Sequence, residues 1–302
     1  MGDINIIDLS IRYELNTGDQ DRMTELKKRF SAISLGQDLL DMAEENDISI
    51  LFDYQDDLDS EYKECGYYLQ REGAVVLNGH FSDDRLIATL AHELRHAWQD
   101  ISGLMEEQSV NPFRYLTLRR VEEADAYSFE THFLFELSMQ ANDTAPLECF
   151  GESYFDIFEA YANKMEESDF PIDARRAAFD AFFETKKWEL YDEDALSLME
   201  ANLEIYKDLS KDPEWVQSAC EMKAADGPLT EEKINLFGVL EIESKGPNFM
   251  TDVPGESVLN GKHSGVFTKK TQERLAEVTQ SYNLFFRQLG HKQIQLSMDK
   301  KR

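Results

Sequence analysis

The chain has 302 residues, 42% of them hydrophobic, with nineteen Phe and twelve Tyr, enough apolar material for a sizeable core in one large domain or two without covalent staples. Sixty Asp and Glu against thirty-one Lys and Arg leave a formal charge of -29, a field that repels nucleic-acid phosphates and anionic membranes, excludes both as partners, and serves solubility. Cys65, Cys149 and Cys220 are far apart and form no C-x-x-C pair, which excludes a disulfide framework and a cysteine zinc site.

Residues 4–14 alternate weakly and predict a first strand or an arm. The N-terminus lacks a basic segment followed by an apolar run, and no stretch of about 18 apolar residues occurs, so a cytoplasmic protein is expected. From Asp19 to Asn46 the spacing of Met23, Leu26, Phe30, Ile33, Leu39 and Leu40 predicts helix, broken near Gly36. Residues 48–52 read as a short strand. The acidic stretch 53–64 lacks the central Gly and the bidentate Glu of a calcium loop and reads as a solvated loop. Residues 66–70 and 74–78 flank Arg71-Glu72-Gly73 as a hairpin. Ala74–Asn78 is the candidate strand for binding an extended substrate.

His92-Glu93-Leu94-Arg95-His96 follows directly. Ser82 as a cap, Asp83 and Asp84 in the first turn, and Gly103 at the end predict a helix there. At ~100° per residue, Leu86, Ile87, Leu90, Leu94, Ala97, Trp98 and Ile101 make an apolar back, and Arg85, Thr89, His92, Glu93, His96 and Asp100 a polar front. Two neutral imidazoles one turn apart can take two corners of a tetrahedral zinc site, with Glu93 between them placed to accept a proton from an activated water. That is hydrolase chemistry.

After Asn111-Pro112 a second long helix is expected over 113–139, bearing Glu122 and Glu123. Helical pattern continues over 150–166, 172–190, 192–209 and 213–225, and no internal repeat is evident. Past Asp226-Gly227-Pro228 come a short helix at 230–243, a long Gly/Pro-containing loop to Gly265, and an amphipathic helix near 268–289 ended by Gly290. A domain spanning 1–226 and a helical C-terminal region, 227–302, are expected.

A catalytic zinc takes three protein ligands and keeps one open position. No histidine stands at a metzincin offset after His96, so the third ligand is expected from Glu122 or Glu123 on the following helix. Periodicity favours Glu122, which lies among Leu118, Ala126, Phe129 and Phe133. Asp125 or Asp100 is a candidate to orient a ligand imidazole. Tyr127, Tyr191 and His263 are candidate donors to an oxyanion.

His92-Glu-x-x-His96 with a Glu on the next helix resembles the gluzincins. The segment 90–99 with Val121-Glu-Glu-Ala-Asp-Ala126 is most similar to a bacterial family described as putative metallopeptidases, of uncharacterised function, over roughly residues 45–195. In many gluzincins the ligand Glu is followed by Ala three residues on and by Asp or Asn four on. Glu123 meets the first offset with Ala126 and departs at the second, where Tyr127 stands. The resemblance implies Glu123 as the third ligand beside His92 and His96, and an α+β fold. Its core is a minimal zincin: a small sheet with hairpin over the HExxH helix, then a second helix with the Glu ligand. A largely helical C-terminal region follows.

The expected function is a zinc-dependent peptidase with Glu93 as base, acting on peptides or a narrow set of proteins. The alternative is a partner-binding protein that keeps the zinc site as a scaffold, against which an intact Glu93 argues, since a structural site needs no base. The sequence sets no oligomeric state.

Overall fold

A computed structural model describes residues 17–54, 65–105, 111–168, 170–185, 187–225, 237 and 267–299. The predicted arm at 4–14, most of the acidic loop, the boundary near 226, all of the short helix at 230–243 but residue 237, the loop that follows it and His263 lie outside the described residues.

In chain order the elements are α1 (Thr17–Phe30), α2 (Ser34–Glu45), β1 (Ser49–Asp53), β2 (Gly66–Leu69), β3 (Ala74–Asn78), α3 (Asp83–Ile101) and α4 (Pro112–Ala141). Then follow α5 (Ala145–Ser153), α6 (Phe155–Ser168), α7 (Pro171–Glu184), α8 (Trp188–Leu209), α9 (Pro213–Ala225) and α10 (Lys269–Asp299). The fold is α+β, mostly helical with a small three-stranded sheet among the described residues. No helix among them is long and apolar enough to cross a membrane.

The chain divides into two compact units, Met1–Leu104 with Asp125–Ala181 and Val239–Phe249, and Met105–Ala124 with Phe182–Gly238 and Met250–Arg302. In the first, β3 is the central strand, parallel to β1 (Ser49 opposite Ala74) and antiparallel to β2 (Tyr67 opposite Val76). The β2–β3 connection turns through Gly73 at φ 58°, a conformation glycine adopts without a Cβ penalty. Ala74 to Leu77 are fully buried, as a strand paired on both sides and covered by a helix should be. This overturns Ala74–Asn78 as a strand open to substrate, because both its edges are occupied by β1 and β2. α3 packs against β2 and β3.

The break between the first two helices falls at residues 31–33, and Gly36 is inside α2. The glycine serves close approach: a Cβ there would stand 1.9 Å from the Phe30 carbonyl oxygen. Beside it Phe30 stacks on Phe133 at 4.4 Å, which ties this corner to α4. The expected single helix over 150–166 is two, with Tyr154 between them. Gly290 does not end the last helix, which runs on to Asp299.

The second unit has its own core, where Leu196, Met199, Leu203 and Tyr206 of α8 meet Val216 of α9 and Val278, Tyr282 and Phe286 of α10. The same-face spacing of these residues on α8 and α10 is the amphipathic stripe expected of each. Arg120 is buried there between the rings of Trp188 (4.2 Å) and Phe267 (4.3 Å), its charge met by both Asp192 oxygens at 2.5 and 2.7 Å.

Candidate metal centre

α3 begins where the Ser82 side chain accepts a hydrogen bond from the Arg85 backbone N–H at 3.3 Å, and it closes at Ser102 and Gly103, the latter at φ 67°. Asp83 and Asp84 in its first turn pair with Arg22 and Arg29 of α1 at 2.7 and 2.8 Å, which fixes the helix against its neighbour. From Leu86 to Gln99 every residue is buried, so the polar front is an interior surface and not a solvated one, while Ile101 on the apolar back is 43% exposed. A polar helix face can be interior only if each group has partners.

It has them. The four-residue spacing brings the His92 and His96 rings to 4.8 Å, with their Nε2 atoms 3.1 Å apart. His92 Nδ1 lies 3.1 Å from Glu130 Oε2, and a carboxylate only accepts, so Nδ1 carries the proton. His96 Nδ1 lies 2.8 Å from Gln99 Oε1, whose amide nitrogen donates to Asp125 Oδ2 at 2.8 Å. Asp125 thereby fixes which way the amide faces, and the amide oxygen requires a donor at His96 Nδ1. Both rings, when neutral, turn an Nε2 lone pair toward the other.

Two facing lone pairs at 3.1 Å repel each other unless a cation stands between them. Two nitrogens bound to one tetrahedral zinc at 2.0–2.1 Å are about 3.3 Å apart, close to the observed separation. A carboxylate oxygen of Glu123 completes the group: one ligand atom from each of His92, His96 and Glu123 lies within 4.8 Å of the others, and all three residues are buried. This donor set, two imidazoles and one carboxylate, suits a divalent metal ion.

Glu93 is buried on α3 beside His92. Glu122, the other candidate from the sequence, accepts from Arg119 Nη1 at 2.7 Å, while Arg119 stands 3.6 Å from Glu123. Of the two glutamates, it is Glu123 that stands with the imidazoles. Asp100 is engaged elsewhere, accepting from Tyr68 at 2.8 Å and Gln70 at 2.6 Å. Asp125 reaches His96 only through Gln99. Glu130, which the sequence reading did not single out, is in direct contact with the His92 imidazole. Its signal was present, since Glu123 and Glu130 are seven residues apart and so share a helix face.

Asp125 also accepts from Arg95 at 2.7 and 3.0 Å and from Arg175 at 2.7 Å, and all three side chains are fully buried. Burial pulls the Arg175 guanidinium down to about 10, against the attraction of Asp125 and with the help of neighbouring Arg95. Stacking of Arg95 on Trp98 at 3.8 Å and on Phe129 at 4.8 Å fills the remaining faces of its guanidinium. One carboxylate between two buried cations is held in place by both, and with it Gln99 and the His96 ring.

Tyr127 packs its ring on His92 at 4.5 Å and donates to the Tyr154 hydroxyl at 3.0 Å. Burial and the charge of Glu130 push the Tyr154 hydroxyl above its ordinary range, so it stays protonated. Tyr191 belongs to the second unit, where its ring lies 6.2 Å from Phe182.

Residues 11–222 match the model of a family described as "Putative metallopeptidase family (DUF6782)". No curated protein and no solved structure matches the chain.

Proposed function

The chain belongs to this putative metallopeptidase family, and from that premise we propose that it is a zinc peptidase of the HExxH gluzincin type, built on a minimal zincin core. The observation that carries the reading is the pair of Nε2 atoms 3.1 Å apart, each ring fixed through its Nδ1, with Glu123 beside them. His92, His96 and Glu123 would hold the ion. A bound zinc supplies Lewis acidity, polarising a carbonyl and making water acidic enough to give up a proton near neutral pH.

Glu93 acts as general base, taking a proton from the attacking water and passing it on to the departing amine. Glu130 and Gln99 hold the two rings in the tautomer that leaves each Nε2 free to coordinate, and Glu130 raises the basicity of His92 by accepting its Nδ1 proton. Tyr154, whose hydroxyl accepts from Tyr127 and so keeps its own proton to give, is the donor proposed for an oxyanion. The substrates are a narrow set of cytoplasmic proteins or peptides, and the catalytic part of the chain lies within 1–226, while the last helix of 227–302 completes the core that α8 and α9 begin.

Protein purified without chelators should carry about one zinc per chain and cleave members of a broad peptide library, with cleavage lost in chelator and restored by zinc. No metal on purification and none on reconstitution would end this reading. Glu130→Ala should weaken metal affinity by about 10–100-fold, the usual worth of a partner that orients a ligand imidazole. An unchanged affinity in a chelator competition would leave Glu130 a packing residue.

A further inference from the structure

Arg85 lies on α3 seven residues before His92, two helical turns and therefore about 10.5 Å away on the same face. Its Nε donates to Cys65 Sγ at 3.3 Å and its Nη1 to Ser153 Oγ at 2.9 Å, and the guanidinium lies 5.4 Å over the Tyr154 ring. The Tyr154 ring lies tilted against Tyr127 at 4.7 Å and Tyr127 meets His92 edge-on at 4.5 Å, so a row of aromatic rings leads from Arg85 to the imidazoles.

In a chain with nearly twice as many acids as bases, the hydrogen-bond partners of this cation among the described residues are neutral. Arg22, Arg29, Arg95, Arg119, Arg175 and Arg176 each hold a carboxylate within 2.9 Å, whereas no carboxylate of the described residues lies within 4.0 Å of Arg85. Glu130 acts on Arg85 through space, but its carboxylate is engaged by His92. Among the described residues, a thiol and a hydroxyl orient the guanidinium without cancelling its charge, and the half-buried site weakens screening by water. Cys65 immediately precedes β2, an edge strand of the sheet among the described residues, and α3 packs beneath it.

We propose that Arg85 is a specificity-determining residue that reads a carboxylate on the peptide substrate, about three residues from the cleaved bond at 3.3–3.4 Å per extended residue. The carboxylate comes from an Asp or Glu side chain or from the end of the substrate chain. This rests on the peptidase reading. The guanidinium presents a planar fork of donors that a carboxylate can meet with two charge-assisted bonds. The overall charge of -29 repels acidic peptides at long range, so a preference for them requires a local cation of this kind.

The test measures binding to the Glu93→Gln variant by fluorescence anisotropy at ~0.15 M salt, and cleavage by the parent. Three peptide series are compared: neutral and capped at both ends, capped with one Glu moved along the sequence, and neutral with a free C-terminal carboxylate at varied distance. Peptides with a carboxylate at the right distance should bind about ten- to a hundredfold tighter than the neutral series. Arg85→Gln should abolish that advantage and leave the neutral series unchanged, and Arg85→Lys should keep part of it. An advantage confined to the Glu series assigns a side-chain carboxylate, and one confined to the free-ended series assigns the chain terminus. No advantage in the parent, or one that survives Arg85→Gln, overturns the proposal. Arg85-dependent binding without cleavage of any series would remove the peptidase reading and leave the carboxylate site, and cleavage without carboxylate preference would do the reverse.

Discussion

Glu93→Gln should retain the fold and the metal content of the parent and lose hydrolysis by at least about 10²–10⁴-fold, the usual contribution of a positioned base. The substitution keeps the volume of a buried side chain and its position on α3 beside His92, so packing around the imidazoles has no reason to change. What it removes is basicity, since an amide does not take up a proton near neutral pH. The His92–Glu130 and His96–Gln99 hydrogen bonds do not pass through position 93, so the metal-binding group should stay assembled. Zinc stoichiometry, a thermal melt and a single-turnover assay on one peptide separate these effects. Turnover equal to the parent with metal in place would remove Glu93 as the base, and loss of metal would show that position 93 acts on the site's assembly.

Substitution at the two neighbouring glutamates should give opposite results. Glu123→Ala should lower zinc affinity by more than the about 10–100-fold expected for an orienting partner, because it deletes a ligand atom itself. Glu122→Ala should bind zinc nearly as tightly as the parent. Adjacent residues on a helix point about 100° apart, so the two carboxylates cannot share one role. Glu123 stands with His92 and His96, and Glu122 is neutralised by Arg119 at 2.7 Å. Glu122→Ala leaves Arg119 with Glu123 as its remaining neighbour at 3.6 Å, which permits a severalfold change in affinity but not the loss of a ligand. A competitive chelator titration ranks the two variants, and Glu123→Gln checks that the loss follows the charged oxygen and not the volume. The reverse ranking would move the ligand to Glu122 and leave the rest of the mechanism standing.

The features readable from the sequence are those set by neighbours a few residues away. A four-residue spacing on a helix brings two imidazoles together whatever surrounds the helix, and Ser82 and Gly103 mark its ends because caps satisfy backbone groups locally. The short apolar runs at 49–53, 66–69 and 74–78 are strands for the same local reason, and Gly73 supplies the left-handed residue that the turn between the last two requires.

Tertiary structure decided what local pattern leaves open. Periodicity favoured Glu122 although α4 carries apolar residues on all sides and gives a poor phase, the resemblance favoured Glu123, and in the fold it is Glu123 that lies near His92 and His96. The same holds for Glu130 and Asp125, whose roles depend on which side chains face them from α3 and α7. Strand order is likewise non-local: Ala74–Asn78 reads equally well as an edge or a centre, and the parallel pairing with β1, made across the intervening chain, put it in the middle. That the polar front of α3 is interior is likewise a tertiary fact, supported at His92 by Glu130 of α4, while Asp125 of the same helix holds the buried Arg95 beside it.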